Sequence, residues 1–570
     1  MSIKTKIFIG TVSLFLLSGF FVLSVQAQNS QVNFNIESSY DLYGRETITA
    51  NLVKTTNQLY FYIDKDWWDK LSVIQQSKMM TIIDDLADEF ALKIYPTLTS
   101  YFGSEPPTGI DGDKKTTVLI HEMIEGSGGY FNPGDGYDRL QNYRSNQRKM
   151  IYLNARYLDQ PLAKSFLAHE FVHLITFYQK DWLYGVSEDV WLNEARAEYA
   201  PTLLGYDDVY QGSNLERRVK NFLSKPSDSL TEWHNQKEDY GLVNLFTQYL
   251  VDHYGIRILQ DSLLSNKTGI ASLNYALAKN GFKEDLSQIF VNWSIAILVN
   301  DCSLGNQYCY RNKNLKDLRL LPESNYLPAS TEIIANFYGE IKDWSVRWQR
   351  FFGGYGDLML EFNGSTKANL KVPYLLCDFQ EKCAIDFLKL DNNQKSKIIV
   401  PDFSKKYFSL TLIPSLEQKL TGFSENEPAY QFSYTITTKE SLQKEEELIK
   451  QLREQIIALQ AEINRLQKAL NLLLTKPTQT LACGKFESDL YFGIRNNPAV
   501  SCLQQFLKEQ GPEIYPEGLV TGNFLELTQR AVIRFQEKYA QEILAPLNLA
   551  RGTGYVGQAT RSKINQLLGY

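Results

Sequence analysis

The stretch LAHEFVHLI (167–175) constrains this chain more than any other. It lies in a run of helix formers, 166–178, so His169 and His173 stand one turn apart on a single helical face. Glu170 sits between them, within reach of a water on a metal that the two imidazoles hold. Downstream, WLNEARAEYA (191–200) offers Glu194 and, one turn later, Glu198. Two neutral nitrogens and one carboxylate oxygen make a three-ligand Zn²⁺ site with its fourth position open, as hydrolysis requires. Glu198 is expected behind a ligand imidazole, fixing its tautomer. The plainer alternatives are an accidental histidine pair, a surface carboxylate at 194 and a solvated face at 198. Histidine is scarce, 5 of 570 residues, and that argues against accident. His121-Glu122, with Glu125 where a second histidine should stand, shows what accident looks like.

The N-terminus reads as an export signal. Lys4 and Lys6 precede a mostly apolar run, 7–23, and Val25-Gln26-Ala27 supplies small residues for cleavage. The run is long enough that an uncleaved anchor is the alternative; either way the chain is secreted or bound to the cell envelope. A chain of this length divides into three or four units. Its hydrophobic content of 44% is that of a globular protein, and a net charge of −6 speaks against nucleic-acid binding. The six cysteines fall in close pairs, Cys302 with Cys309, Cys377 with Cys383 and Cys483 with Cys502. None has metal-type CxxC spacing, and export favours disulfides.

Residues 28–327 read as one mixed α+β domain. LYFYID (59–64), TTVLIH (116–121) and MIYLN (150–154) are strands, 67–103 carries helical periodicity, and a glycine-rich loop occupies 125–138. A strand beside the metal could bind an extended peptide through main-chain groups, or be an ordinary internal strand. After Glu198 the chain is mostly helical, most clearly at 239–255 and 286–301.

HEFVH followed by WLNEARAE resembles the gluzincin zinc metallopeptidases, and within them the hyicolysin-like bacterial peptidases. GYFNPGD, the WLNE segment, YGLVNLF and NWSIAILVND extend the resemblance over roughly 58–301. It implies a zincin-like fold with His169, His173 and Glu194 as ligands and Glu170 as general base. Gluzincins often stabilise the oxyanion with a tyrosine, which makes Tyr240, in DYG, the first candidate donor and His234, in EWHN, the second. Packing alone is the alternative for Tyr240, one of 34 tyrosines.

Residues 328–438 change to short β-rich runs separated by Gly, Asn, Ser and Pro, the pattern of an antiparallel β-sandwich acting as spacer or docking domain. Residues 439–476 then form a heptad series. Leu442, Ile449, Ile456, Ile463 and Leu470 take one position, and Leu452, Leu459, Leu466 and Leu473 the other, with Glu445 breaking the first repeat. Isoleucine at a with leucine at d favours a parallel two-stranded coil and hence a homodimer; a single helix packed on its neighbour is the alternative. Residues 477–570 resemble a small helical peptidoglycan-binding domain, through Leu503-Gln504, Leu507, Thr521-Gly522, Thr528, Ala531-Val532, Phe535-Gln536, Gly557 and Thr560. The chain departs from that pattern at Phe524-Leu525 and in the insert 541–554.

Two classes of function remain. One is a secreted zinc endopeptidase, acting on protein or on wall peptide stems and held at the wall by its C-terminal module. The other is a non-catalytic wall-associated adhesion or scaffold protein. Glu170 favours the enzyme, because a binding protein has no need of a general base.

Overall fold

The computed structural model describes residues 30–328, 333–438, 445–474 and 483–570. The proposed signal, 1–27, and parts of the heptad segment and of the linker after it lie outside the described residues. The chain is multidomain, with mixed α/β content and several sheets. It divides into two compact units, 1–466 and 467–570.

The first sheet has the order β1-β2-β3-β4-β6-β5, with β5 the short edge strand Gly129–Tyr130. Strands β1 (Gln31–Asn35), β2 (Thr47–Thr55) and β3 (Leu59–Asp64) are antiparallel. Strands β4 (Thr116–His121) and β6 (Met150–Asn154) continue parallel to β3. Parallel neighbours need a crossover, and helix α1 (Val73–Glu89), started by a Ser72–Gln75 capping box, provides it between β3 and β4. The stretch expected to be helical from 67 to 103 is interrupted. One turn at Lys65–Trp68 precedes α1, and a wider turn at Phe90–Ile94 leads into Tyr95–Phe102. Phe61, Val118 and Ile151 face the helices, whereas Tyr62, Leu119 and Tyr152 face a smaller core under β1 and β2, the alternation a pleated strand imposes.

Helix α2 (Ala163–Phe177) lies between this sheet and α3 (Val190–Leu203), and all but two of its residues are buried. Helices α4 (Asn214–Ser224) and α5 (Lys237–Tyr254) complete the surroundings of the site.

The next region holds two sheets that share a core. One runs Cys383–Phe387, Pro373–Cys377, Ser409–Leu412, Gln349–Gly353, Glu323–Leu327. The other runs Lys395–Val400, Leu358–Gly364, Tyr430–Thr438, Ile333–Ile341. Phe351 and Leu412 from the first meet Leu360, Phe432 and Tyr434 from the second. Glu323–Leu327, just before the boundary expected at 327, pairs in parallel with Gln349–Gly353. Trp344, Val346 and Trp348 enter the core of the helical region, and Trp348 Nε1 donates to the carbonyl of Ser294 (2.8 Å).

Helix α6 (Glu445–Leu474) docks on that region by its polar side. Gln455, Ala458 and Glu462 are buried, with Arg350 Nη1 2.9 Å from Glu462 and Gln455 bonded to the carbonyl of Gly354. Leu452, Ile456, Ile463, Leu466 and Leu470 remain exposed, at 38–57%.

In the second unit, α7 (Pro498–Glu509), α8 (Glu526–Lys538) and α9 (Gln558–Leu568) surround one small core. A polar network occurs there twice, 32 residues apart. Buried Gln504 bonds Thr521, Gly522, Asn523 and Thr528, and buried Gln536 bonds Thr553, Gly554, Tyr555 and Thr560 in the same pattern. The module is an internal duplication. Disulfides join Cys302–Cys309, Cys377–Cys383 and Cys483–Cys502, the pairs expected from proximity. No helix among the described residues is long and apolar enough to cross a membrane.

Candidate metal centre

The interior placement of α2 is what gives its polar residues their meaning. His169 and His173 project from one face, one turn apart, and α3 brings Glu194 opposite them. His169 Nε2 and His173 Nε2 lie 3.1 Å apart, and Glu194 Oε2 is 3.2 Å from the first and 3.4 Å from the second. A tetrahedral ion with bonds of ~2.0–2.2 Å spaces its donors by about 3.3–3.6 Å, close to this triangle. Glu194 Oε2 is buried and makes no well-formed hydrogen bond, with the two imidazole nitrogens as its close polar neighbours. A buried carboxylate oxygen left so is costly unless a cation meets it, and three donors converging on one point supply the place. Two imidazoles and a carboxylate suit zinc better than the oxygen-seeking calcium or magnesium.

The far side of each imidazole is held as well. His169 Nδ1 lies 3.3 Å from Glu198 Oε1, and His173 Nδ1 lies 3.0 Å from Asn193 Oδ1. Glu198 is itself fixed by both ends of the Arg218 guanidinium and by Asn214 Nδ2 (3.0 Å). Such partners set which ring nitrogen is free to bind.

The electrostatics separate the carboxyls. Burial pushes Glu170 up to about 7, since this side chain has no partner that neutralises it outright. Burial also raises Glu194, but His173 and His169 outweigh it and hold that carboxyl down at about 2. Glu198 falls well below the usual carboxylate range, because Arg218 and His169 overcome its burial. His169 rises to about 10, as Glu194 and Glu198 overcome the cost of burying its charge. A dication among these groups would take over from the protons on the imidazoles and draw Glu170 back toward its ionised form.

These residues open into a cleft of about 940 Å³. One wall is β5 (Gly129–Tyr130), the edge strand, which among the described residues pairs only with β6. MIYLN, the strand shortly before α2 in the chain, is β6 and lies inside the sheet; the glycine-rich loop supplies the edge. Glycine is required there: a Cβ on Gly129 would stand 2.4 Å from the Tyr152 carbonyl oxygen and 3.0 Å from Glu170 Cγ, and one on Gly128 would meet the Phe166 ring at 2.4 Å.

Tyr240 lines the cleft, with its hydroxyl donating to Asn235 Oδ1 (2.7 Å), Arg218 over its ring at 4.5 Å and Trp233 edge-on. His234, the other candidate donor, is not brought to the cleft. Its backbone N–H is tied to Asp239 Oδ2 (3.0 Å), and its ring turns toward Glu232, 3.8 Å away. Tyr40, from the loop after β1, also reaches the cleft, where Asn235 Nδ2 lies 3.5 Å from its hydroxyl. Nothing in the local sequence around Tyr40, Asn193 or Arg218 signals these positions, since each owes its place to tertiary packing.

No protein-family model and no curated protein matches the chain. Solved structures do match, among them the following three. A periplasmic inhibitor of g-type lysozyme from Aeromonas hydrophila has 10% identity and a TM-score of 0.15, over 21% of this chain and 100% of that one. The pre-peptidase C-terminal domain of a Bacillus anthracis collagenase has 11% identity and a TM-score of 0.13, over 20% and 96%. A family GH115 4-O-methyl-alpha-glucuronidase has 11% identity and a TM-score of 0.12, over 57% and 51%. Likeness at this level carries no argument about chemistry.

Proposed function

We propose that this chain is a secreted zinc endopeptidase with a zincin-like catalytic domain. The observation that carries the reading is the donor triangle of His169, His173 and Glu194, with Glu170 one residue from a ligand at the floor of an open cleft. Zinc bound there would lower the pKa of its water to about 7 and polarise a carbonyl as a Lewis acid. Glu170 accepts a proton from the attacking water and returns it to the leaving amine. Tyr240, released from Asn235, donates to the carbonyl oxygen as charge builds on it. Arg218, Glu198 and Asn193 keep the imidazoles in register. The free edge of β5 offers main-chain groups to an extended peptide, and every peptide substrate carries the groups that pair with them.

The expected N-terminal signal, the disulfides and the resemblance of 477–570 to peptidoglycan-binding modules support a location at the cell envelope, tethered to the wall. The heptad stripe of α6 supports a parallel homodimer, because its polar side is occupied by Arg350 and Gly354 while Leu452, Ile456, Ile463, Leu466 and Leu470 are exposed.

Metal analysis with parallel cleavage assays on denatured protein and on isolated peptidoglycan tests the reading. One zinc per chain is expected. His169→Ala should lose zinc and activity together, whereas Glu170→Gln should keep zinc while turnover falls about 10²–10⁴-fold. Full turnover in Glu170→Gln would sink the mechanism. A zinc-free protein that still binds walls would favour the scaffold reading.

A further inference from the structure

Helix α4 carries two adjacent arginines with opposite fates. Arg218 is buried and neutralised by Glu198, through which it supports His169. Arg217 is partly buried and lines the same cleft, yet no described carboxylate forms an ion pair with it. Its one hydrogen bond of note runs from Nη2 to Asn214 Oδ1 (2.6 Å), a neutral acceptor, and its Nε is buried without a partner. The guanidinium lies over the Phe166 ring, 5.2 Å from the centroid, which fixes its plane. Phe166 is on α2 one turn before His169, and Asn214 also bonds Glu198. Arg217 is therefore held close to the metal ligands, oriented, and short of an anion. The carboxylate that it feels most is Glu198, which is already committed to Arg218, and burial with its arginine neighbour draws Arg217 down to about 9.

Partial burial of a cation without an anion is unfavourable, and a guanidinium with donors to spare pairs best with a carboxylate. Resting on the peptidase reading, we propose that Arg217 is the cleft's receptor for a substrate carboxylate, so that the enzyme selects peptides carrying an acidic group near the scissile bond. The group is either an aspartate or glutamate side chain or a free C-terminal carboxylate.

The test is binding to the zinc-loaded Glu170→Gln protein, followed by fluorescence anisotropy. The probes are fluorescein-labelled alanine–leucine octapeptides with one glutamate walked through every position, each paired with its glutamine counterpart, in free-acid and C-terminal amide forms. At one position glutamate should bind about 10- to 100-fold tighter than glutamine, the range for a charge-assisted hydrogen-bonded pair. If the terminal carboxylate is the ligand, the preference instead separates the free acid from the amide. Adding Arg217→Gln should bring the ratio close to one, and Arg217→Glu should reverse it toward a lysine peptide. Equal binding of acid and neutral probes at every position, with Arg217 intact, overturns the proposal whether or not the variants fold. So does a preference that survives Arg217→Gln in a protein with an unchanged melting temperature. A protein that cleaves peptides but shows no acidic preference loses this inference and keeps the peptidase reading. One that binds acidic probes through Arg217 but takes up no zinc does the reverse.

Discussion

Helices α2 and α6 are built inside out relative to each other. In α2 nearly everything is buried, and the polar residues point inward, at each other and at Glu194. In α6 the buried residues are Gln455, Ala458 and Glu462, while isoleucine and leucine face water. A buried helix that spends interior positions on two histidines and a glutamate gathers donors around Glu194 Oε2, which makes no well-formed hydrogen bond, and that deficit suits a cation. A surface helix that spends its docked face on polar groups leaves an apolar stripe, and that deficit calls for another apolar surface. Both deficits are functional readings, but they break under different perturbations.

The largest effect is expected on the α2 side, at Glu198. Glu198→Ala strands Arg218 as a buried charge without a partner, at a cost of roughly 3–5 kcal/mol, and releases His169 Nδ1. Zinc affinity should fall about 10–100-fold as well. Chemical denaturation with and without zinc, together with a competitive chelator titration, measures the two losses. A variant with native stability and native zinc affinity would show that the polar interior of α2 is tolerated rather than used.

On the α6 side, Ile456→Glu with Ile463→Glu puts charges into the proposed seam without touching the docked residues. Dimer dissociation by light scattering or sedimentation should strengthen about 100-fold or more. Glu462→Ala is the complementary change: it uncouples the helix from Arg350 and should leave the dimer intact while lowering the melting temperature. A wild-type chain that stays monomeric at high concentration would remove the difference between a covered and an uncovered face, and the stripe would be only an exposed surface.

How much of this was legible in the sequence follows the same division. Periodicity and spacing exposed His169, Glu170, His173 and Glu194, the strands at 59–64, 116–121 and 150–154, and the heptad, because each depends on residues close in the chain. Arg217 and Arg218 read locally as part of a solvated helix face, and only the packing of α4 against α3 and α5 turns Arg218 inward. Gln455 and Glu462 look like ordinary flanks of a seam, because the partner for Glu462 is Arg350, more than a hundred residues away. The edge strand at Gly129–Tyr130 was hidden by its glycines, which signal a loop until a close approach to Glu170 explains them. The pairing of 323–327 is not legible locally, because its partner at 349–353 lies further along the chain.

The smallest effect sharpens what a buried carboxylate does when no cation is near. Asp135 is 1% exposed and well bonded: Tyr152 donates to it (2.5 Å), as does the Asn146 backbone N–H (2.8 Å). Burial nevertheless outweighs those bonds and raises it to about 6, whereas Glu194, between two imidazoles, sits at about 2. An ordinary aspartate in the unfolded chain titrates near ~3.9. The folded form therefore holds the proton more tightly, so this group's contribution is greatest below about pH 4 and is lost as pH rises through about 6. A gap of about two units corresponds to roughly 2–3 kcal/mol across that window. Glu198, with its value depressed, acts the other way: its contribution is complete above about pH 4 and is lost only on further acidification. Asp135→Asn should thus narrow or reverse its stability deficit relative to wild type between pH 4 and 6, with no further change above pH 7. Urea unfolding of both proteins at half-unit pH steps measures the difference. A stability difference flat across pH 4–6 would mean that Tyr152 and Asn146 compensate fully for the lost water, and that a pair of hydrogen bonds can do for Asp135 what the two imidazoles do for Glu194.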